Sequence, residues 1–166
     1  MTKNLIWLRT DSIGDAVLAG SMLPYVAQRY SDLSITAVCQ EAVAPYYESC
    51  PYVSQVISFH RTALLDDEVY RNDFIEKLRS LSAVLLLNSL YSRDNLSDFI
   101  ATNAGALETI TLKGDRTNRL VEESNDTDVG YSKVIPNGEH SREIDRHKHF
   151  LSSLGVVDIQ LEPQFW

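Results

Sequence analysis

Hydrophobic residues along the chain fall into short unbroken runs separated by longer stretches with helical spacing. Residues 4–8 (NLIWL) form one such run, the length of a strand buried on both faces, and it stops at the polar turn RTDSIGD. Beyond the turn, Ile13, Val17, Ala19, Met22, Leu23, Val26 and Tyr30 recur at steps of three and four, which predicts one helix ending near Ser31 and Asp32. Pro24 lies inside it. Its missing N–H and the pressure of its ring on the carbonyl of Gly20 predict a kink.

The alternation then repeats. Residues 34–38 and 53–59 read as the second and third strands, with a short helix over 41–49 between them. Residues 65–81 carry Val69, Phe74, Leu78 and Leu81 as a charged amphipathic helix, and 83–87 (AVLLL) are the most apolar strand. A helix over 96–104 and a fifth strand over 109–112 follow. Strands alternating with helices of this length indicate right-handed parallel βαβ units, so the fold class is α/β: a doubly wound, mostly parallel, Rossmann-like sheet.

From 113 to 140 the pattern fails, leaving only one short strand at 131–135, and so long a connection commonly serves a function. Helical spacing resumes over 141–154 through Ile144, Phe150, Leu151 and Leu154, and Gly155 stops it. The domain is therefore expected over 1–154, with 155–166 an apolar linker or tail leading toward a further domain.

Composition narrows the function. With 166 residues, 44% of them hydrophobic and 23% charged, one ordinary globular core is expected. The net charge of −8 argues against nucleic acid as a partner, which needs clustered Lys and Arg. Cys39 and Cys50 read as buried thiols in a reducing, cytoplasmic setting. The apolar runs fall far below the ~18 residues that span a bilayer.

In an open parallel sheet, ligands collect at the carboxyl ends of the strands, above all at the turn after the first. Here that turn has neither GxGxxG nor a P-loop pattern, which argues against a flavodoxin-like or nucleotide-binding domain and against a bound cofactor. It does carry Asp11, Asp15 and Arg9. A carboxylate at position 15 would be oriented by the backbone N–H groups and dipole of the following helix. Two readings stand side by side: a capping box between Ser12 and Asp15, and a carboxylate that accepts a proton in catalysis. Of the histidines, His147 and His149 are two apart and face different sides of a helix, so they and His140 read as surface residues and no metal site is expected. Tyr46, Tyr47 and Tyr52 read as packing residues.

The run from NLIWLRTDSIGDAVLAGSMLPYV through PYVSQVISF resembles the N-terminal half of glycosyltransferase family 9, the ADP-heptose:lipopolysaccharide heptosyltransferases. AVLLLNSLYSRDNLSDFIATNAGA and HSREIDRHKHFLSSLGV extend the resemblance over essentially the whole chain. It implies one of two facing Rossmann-like domains of a GT-B enzyme, with the acceptor on this half and a nucleotide-diphosphate sugar bound mainly by a C-terminal donor domain or partner chain. By motif position it implies that Asp15 is the general base of an inverting transfer to a saccharide acceptor. Gly14 would let the turn pass close to that acceptor, while Asp11 and Ser12 would either hydrogen-bond it or cap the helix. Arg61 and Arg93, each following a strand, would contact the acceptor, the alternative being solvated surface positions. The same resemblance implies lipopolysaccharide biosynthesis and a chain that can associate peripherally with the inner membrane. Asp66, Asp67 and Glu68, however, set negative charge near the expected acceptor face and weigh against a phosphorylated lipid acceptor. A stand-alone, non-catalytic binding module is the competing reading.

Overall fold

The computed structural model describes residues 3–115, 117–118 and 127–166. Strands β1 (Lys3–Arg9), β2 (Leu33–Gln40), β3 (Gln55–Phe59), β4 (Leu85–Asn88), β5 (Glu108–Leu112) and β6 (Lys133–Ile135) form one sheet in the order β3-β2-β1-β4-β5-β6. Every neighbouring pair is parallel. The winding direction reverses between β1 and β4, so a crevice opens beyond their carboxyl ends.

Strand alternation sorts the core into two layers. Leu5, Trp7, Ala37, Cys39 and Leu87 pack against helices α1 (Ile13–Gly20), α2 (Leu23–Arg29), α3 (Ala44–Glu48) and α7 (Glu143–Ser153). Ile6, Leu8, Val38, Ile57 and Leu86 face α4 (Arg61–Asp66), α5 (Glu68–Ser80) and α6 (Asn95–Asn103). Both faces are therefore covered, which is why the strands read as near-continuous apolar runs. The doubly wound parallel fold read from the sequence is the fold observed, and Cys39 and Cys50 are both buried.

Three single helices of the sequence reading are divided. The helix expected across 13–30 breaks into α1 and α2 instead of kinking at Pro24. The Ser21 and Met22 N–H groups bond back to Leu18 and Ala19, closing α1 with a tight turn, and Pro24 then occupies the first turn of α2, where its missing N–H is harmless. The Tyr46 hydroxyl sits directly on Gly20; a Cβ there would lie 1.9 Å from it. The helix expected over 65–81 divides at Asp67, whose carboxylate accepts the Tyr70 N–H at 3.0 Å and caps α5. Residues Glu41–Val43 form a 3-10 turn ahead of α3, with Pro45 in the helix's first turn.

The terminal segment lacks regular structure but packs on this domain. Val156, Ile159, Leu161 and Trp166 rest against the first core layer, and the Tyr25 and Tyr46 hydroxyls donate to the Gln160 and Gln164 carbonyls at 2.8 and 3.0 Å. Trp166 meets Tyr46 and Tyr52 at ring separations of 6.3 and 5.7 Å. Tyr47 is fully buried and accepts a hydrogen bond from Trp7 Nε1 at 3.4 Å. Among the described residues, no helix is long and apolar enough to cross a membrane.

Candidate functional site

At the reversal point a hollow of about 370 Å³ is lined by Thr10, Asp11, Arg61, Leu90, Ser92, Asp94 and Asn118. A smaller hollow of about 150 Å³ shares Asp11, Leu90, Ser92 and Asn118 with it and adds Asp15, Tyr91 and Glu143. Together they form one polar cleft over the carboxyl ends of β1 and β4.

The floor is a buried charge pair. Arg9 ends β1 only 1% exposed, grips the Asp11 carboxylate through Nε and Nη2, and donates from Nη1 to Ser89 Oγ at 2.9 Å. Burial pushes the Asp11 carboxyl above its ordinary range, and Arg9 opposes that push. Gln40 at the end of β2 donates to the carbonyls of Thr10 and Asp11 at 2.6 and 3.2 Å and fixes the turn.

Asp15 projects from the first turn of α1 and is exposed. The capping box suggested by its spacing does not form: no side chain caps α1, and the Ser12 hydroxyl instead donates to Asp15 Oδ2 at 3.0 Å. One carboxylate oxygen is thereby held from the side. A Cβ on Gly14 would meet no atom within 4 Å, so the space in front of the turn is open.

The two arginines separate. Arg61 begins α4, reaches the cleft, and pairs through Nη2 with Asp94 Oδ2 at 2.6 Å. The other oxygen of Asp94 accepts the Ser97 N–H at 2.8 Å and caps α6. Arg93 is 1% exposed and does not line the cleft. Its guanidinium donates to Asp98 at 3.1 Å, to the Lys113 carbonyl at 3.0 Å and to Asp128, and lies 5.1 Å from the Tyr131 ring centroid. Tyr131 in turn donates to Asp98 and accepts from Asn88, both at 2.8 Å. Arg93 therefore binds β4, β5 and α6 together from inside, and neither alternative offered for it from sequence, acceptor contact or solvated surface, fits that position.

A second correction concerns His147, expected at the surface but fully buried on the inner side of α7. Its Nε2 stands 3.3 Å from Glu143 Oε1, without hydrogen-bond alignment and a charge pair only when the imidazole is protonated. Burial holds the imidazole below its ordinary range. Burial alone would raise the Glu143 carboxyl, yet His147 and Arg146 hold it down, at about 2. His140 is half-buried and packs its ring 5.2 Å from that of His149, which is half-buried too. Among the described residues no group of three or more His, Cys, Asp or Glu is arranged to hold a metal.

Glu143, Asp94, Ser92 and Asn118 line the cleft without having been singled out from the sequence. Asp94 carried a readable signal, an N-cap residue ahead of a helix following a strand end; Glu143 enters through the packing of α7, which no local pattern reveals. The loops behind the cleft are stitched together. Asn118 donates to the Ser92 carbonyl at 2.9 Å, the Asp115 N–H to the Tyr91 carbonyl at 3.0 Å, and Asn137 exchanges two hydrogen bonds with Gly114 at 2.8 and 2.7 Å. Gly114 takes a φ of +69°, and a Cβ there would lie 1.9 Å from the Tyr91 carbonyl oxygen.

No family model and no curated protein matches the sequence. Solved structures do match its fold. A glycosyl transferase family 9 protein from Veillonella parvula superposes with a TM-score of 0.78 at 16% identity, over 98% of this chain and 44% of the other. The E. coli heptosyltransferase WaaC with ADP-2-deoxy-2-fluoro heptose gives 0.74 at 16% identity, over 96% of this chain and 51% of that one. E. coli ADP-heptose lps heptosyltransferase II gives 0.66 at 14% identity, over 98% and 46%. The chain thus has the Rossmann-like architecture of GT-B glycosyltransferases and spans about half the length of the structures it matches.

Proposed function

We propose that this chain is the acceptor-binding half of an inverting glycosyltransferase, with Asp15 as its general base. The observation that carries the reading is the exposed Asp15 carboxylate, steadied by Ser12 at the mouth of a polar cleft over the sheet's reversal point. The architecture shared with family 9 structures supports it independently.

In this reading a saccharide acceptor lies in the cleft among Asp11, Arg61, Ser92 and Asp94. A nucleotide-diphosphate sugar is presented from the opposite side by a donor-binding domain or partner chain. The acceptor hydroxyl attacks the anomeric carbon as the bond from that carbon to the diphosphate oxygen breaks. The nucleoside diphosphate leaves with that electron pair, the anomeric configuration inverts, and the hydroxyl proton passes to Asp15. Ser12 occupies one carboxylate oxygen and leaves the other to take the proton. Base catalysis of this kind contributes about 10² to 10⁴ in rate. No resident cofactor is required. Assignment to lipopolysaccharide-core synthesis at the cytoplasmic membrane surface is part of the same proposal and rests on the heptosyltransferase likeness alone.

The test supplies the chain with a heptosyltransferase donor-binding domain, a panel of nucleotide-diphosphate sugars and a panel of saccharides. Product is read by mass spectrometry and anomeric configuration by NMR. Asp15→Asn is expected to lower transfer by about 10² to 10⁴ while leaving the folded spectrum and acceptor binding unchanged. Transfer that survives Asp15→Asn removes the base. Saccharide binding with no transfer in any combination makes the chain a binding module.

A further inference from the structure

The cleft holds charge of both signs, and its pairing bears on what kind of acceptor fits. Arg9 is buried and engaged on both prongs by Asp11 and Ser89. Arg61, the cation that reaches the cleft from α4, is met by Asp94 at 2.6 Å. Asp94 is itself anchored, because its second oxygen caps α6. The carboxylate is thus a fixed counter-charge and not a surface group free to swing away from Arg61.

Among the described residues that line this cleft Arg61 is the cation, so a phosphorylated sugar seeking it would have to displace Asp94 and then sit beside two carboxylates, Asp11 and Asp94. Exposed Asp66, which ends α4, and Asp67 and Glu68 just after it carry further negative charge on the same stretch of chain. A neutral sugar meets no such conflict. Each paired carboxylate keeps lone pairs for hydroxyl donors, and a guanidinium carries five N–H groups, of which the ion pair uses few. Thr10, Ser92 and Asn118 add neutral polar groups on the same wall.

We infer that Asp94 is a specificity-determining residue: by pairing Arg61 it sets the cleft for an uncharged, hydroxyl-rich sugar and against a phosphorylated one. The inference rests on the acceptor-cleft reading above and refines it.

The test is an amide-resolved NMR titration of the ¹⁵N-labelled 166-residue chain. The probes are the methyl glycosides of glucose, galactose, mannose and glycero-manno-heptose, each beside its monophosphate. Shifts at Thr10, Asp11, Asp15, Arg61 and Asp94 report the cleft. At least one neutral glycoside is expected to bind roughly fivefold or more tightly than its phosphate, with an affinity that does not change between low and high salt. Asp94→Asn keeps the α6 cap, since Asn caps as well as Asp, and releases Arg61. It is expected to reverse the preference in favour of the phosphate, and adding Arg61→Gln is expected to abolish that gain.

A wild-type chain that binds the phosphates as tightly as the neutral sugars, in a salt-sensitive manner, overturns the inference and leaves the acceptor reading standing. So does an Asp94→Asn variant, folded by its own spectrum, that keeps the original preference. Should that variant not fold, the wild-type ratio and its salt dependence decide. If no sugar of either kind moves the cleft amides, the saccharide-acceptor reading itself fails, and the selectivity with it.

Discussion

Arg61 follows β3 and Arg93 follows β4, so both stand past strand carboxyl ends on the side of the sheet where ligands gather. One is 40% exposed and meets a single carboxylate at the edge of a hollow; the other is 1% exposed and is held by two carboxylates, a carbonyl and an aromatic ring. The difference lies in what arrives from elsewhere in the chain. Among the described residues Arg61 meets a carboxylate only at Asp94, just ahead of α6, whereas Asp128 and Tyr131, from the segment ahead of β6, close over Arg93. Equivalent positions in a repeating βαβ plan thus become cleft-facing or structural according to the connection that follows.

The contrast can be broken most decisively at Arg93. Arg93→Ala takes a fully buried cation from between a buried carboxylate, Asp98, and a half-buried one, Asp128, and the expected loss is about 3–5 kcal/mol of stability by urea or thermal unfolding. A loss below 1 kcal/mol would mean that the internal clamp is not structural.

His147 extends the comparison to a second enclosed basic group. Its imidazole is held below its ordinary 6.5, so the unfolded chain takes up a proton that the folded chain refuses as pH drops from that value. Stability is therefore expected to fall on acidification below pH 6.5, by at most about 1.4 kcal/mol per pH unit, and to be complete above it. Glu143, held at about 2, contributes stability that is lost only as pH falls from its ordinary 4.5 toward that value, so its loss begins at lower pH than the histidine's. The difference between wild type and His147→Gln, followed by thermal melts from pH 7.5 to pH 5, isolates the histidine; parallel curves would show that its burial is not maintained.

The smallest effect belongs to Arg61. As a half-exposed ion pair it is expected to contribute only about 0–1 kcal/mol, so Arg61→Ala should melt almost as wild type does while weakening sugar binding in the same NMR titration. Strong destabilisation there would erase the distinction between the two arginines.

Much of this was readable in advance, for identifiable reasons. β1 and β4 announce themselves as apolar runs because both faces of the sheet are covered, and the order of elements leaves little choice beyond a doubly wound sheet. Boundaries were harder. Pro24 suits a helix's first turn as well as it disrupts an interior, and Asp67 within a charged helix looks like one more solvated carboxylate until its bond to the Tyr70 N–H is seen. In the site, position located Asp15 and Arg61 near the cleft, because strand ends and helix starts are local features. Burial is not: nothing near Arg93 or His147 in sequence tells that distant segments enclose them, and Glu143 reaches the cleft only through the packing of the last helix.

The clasp at Gly114 carries a consequence for how this fold can diversify. With the left-handed backbone there pressed onto the Tyr91 carbonyl, any larger residue acts as a wedge between the two loops that form the back wall. The breadth of the recess is thereby tied to a position outside its lining, and a change of appetite in a descendant protein need not begin among the residues that form that lining.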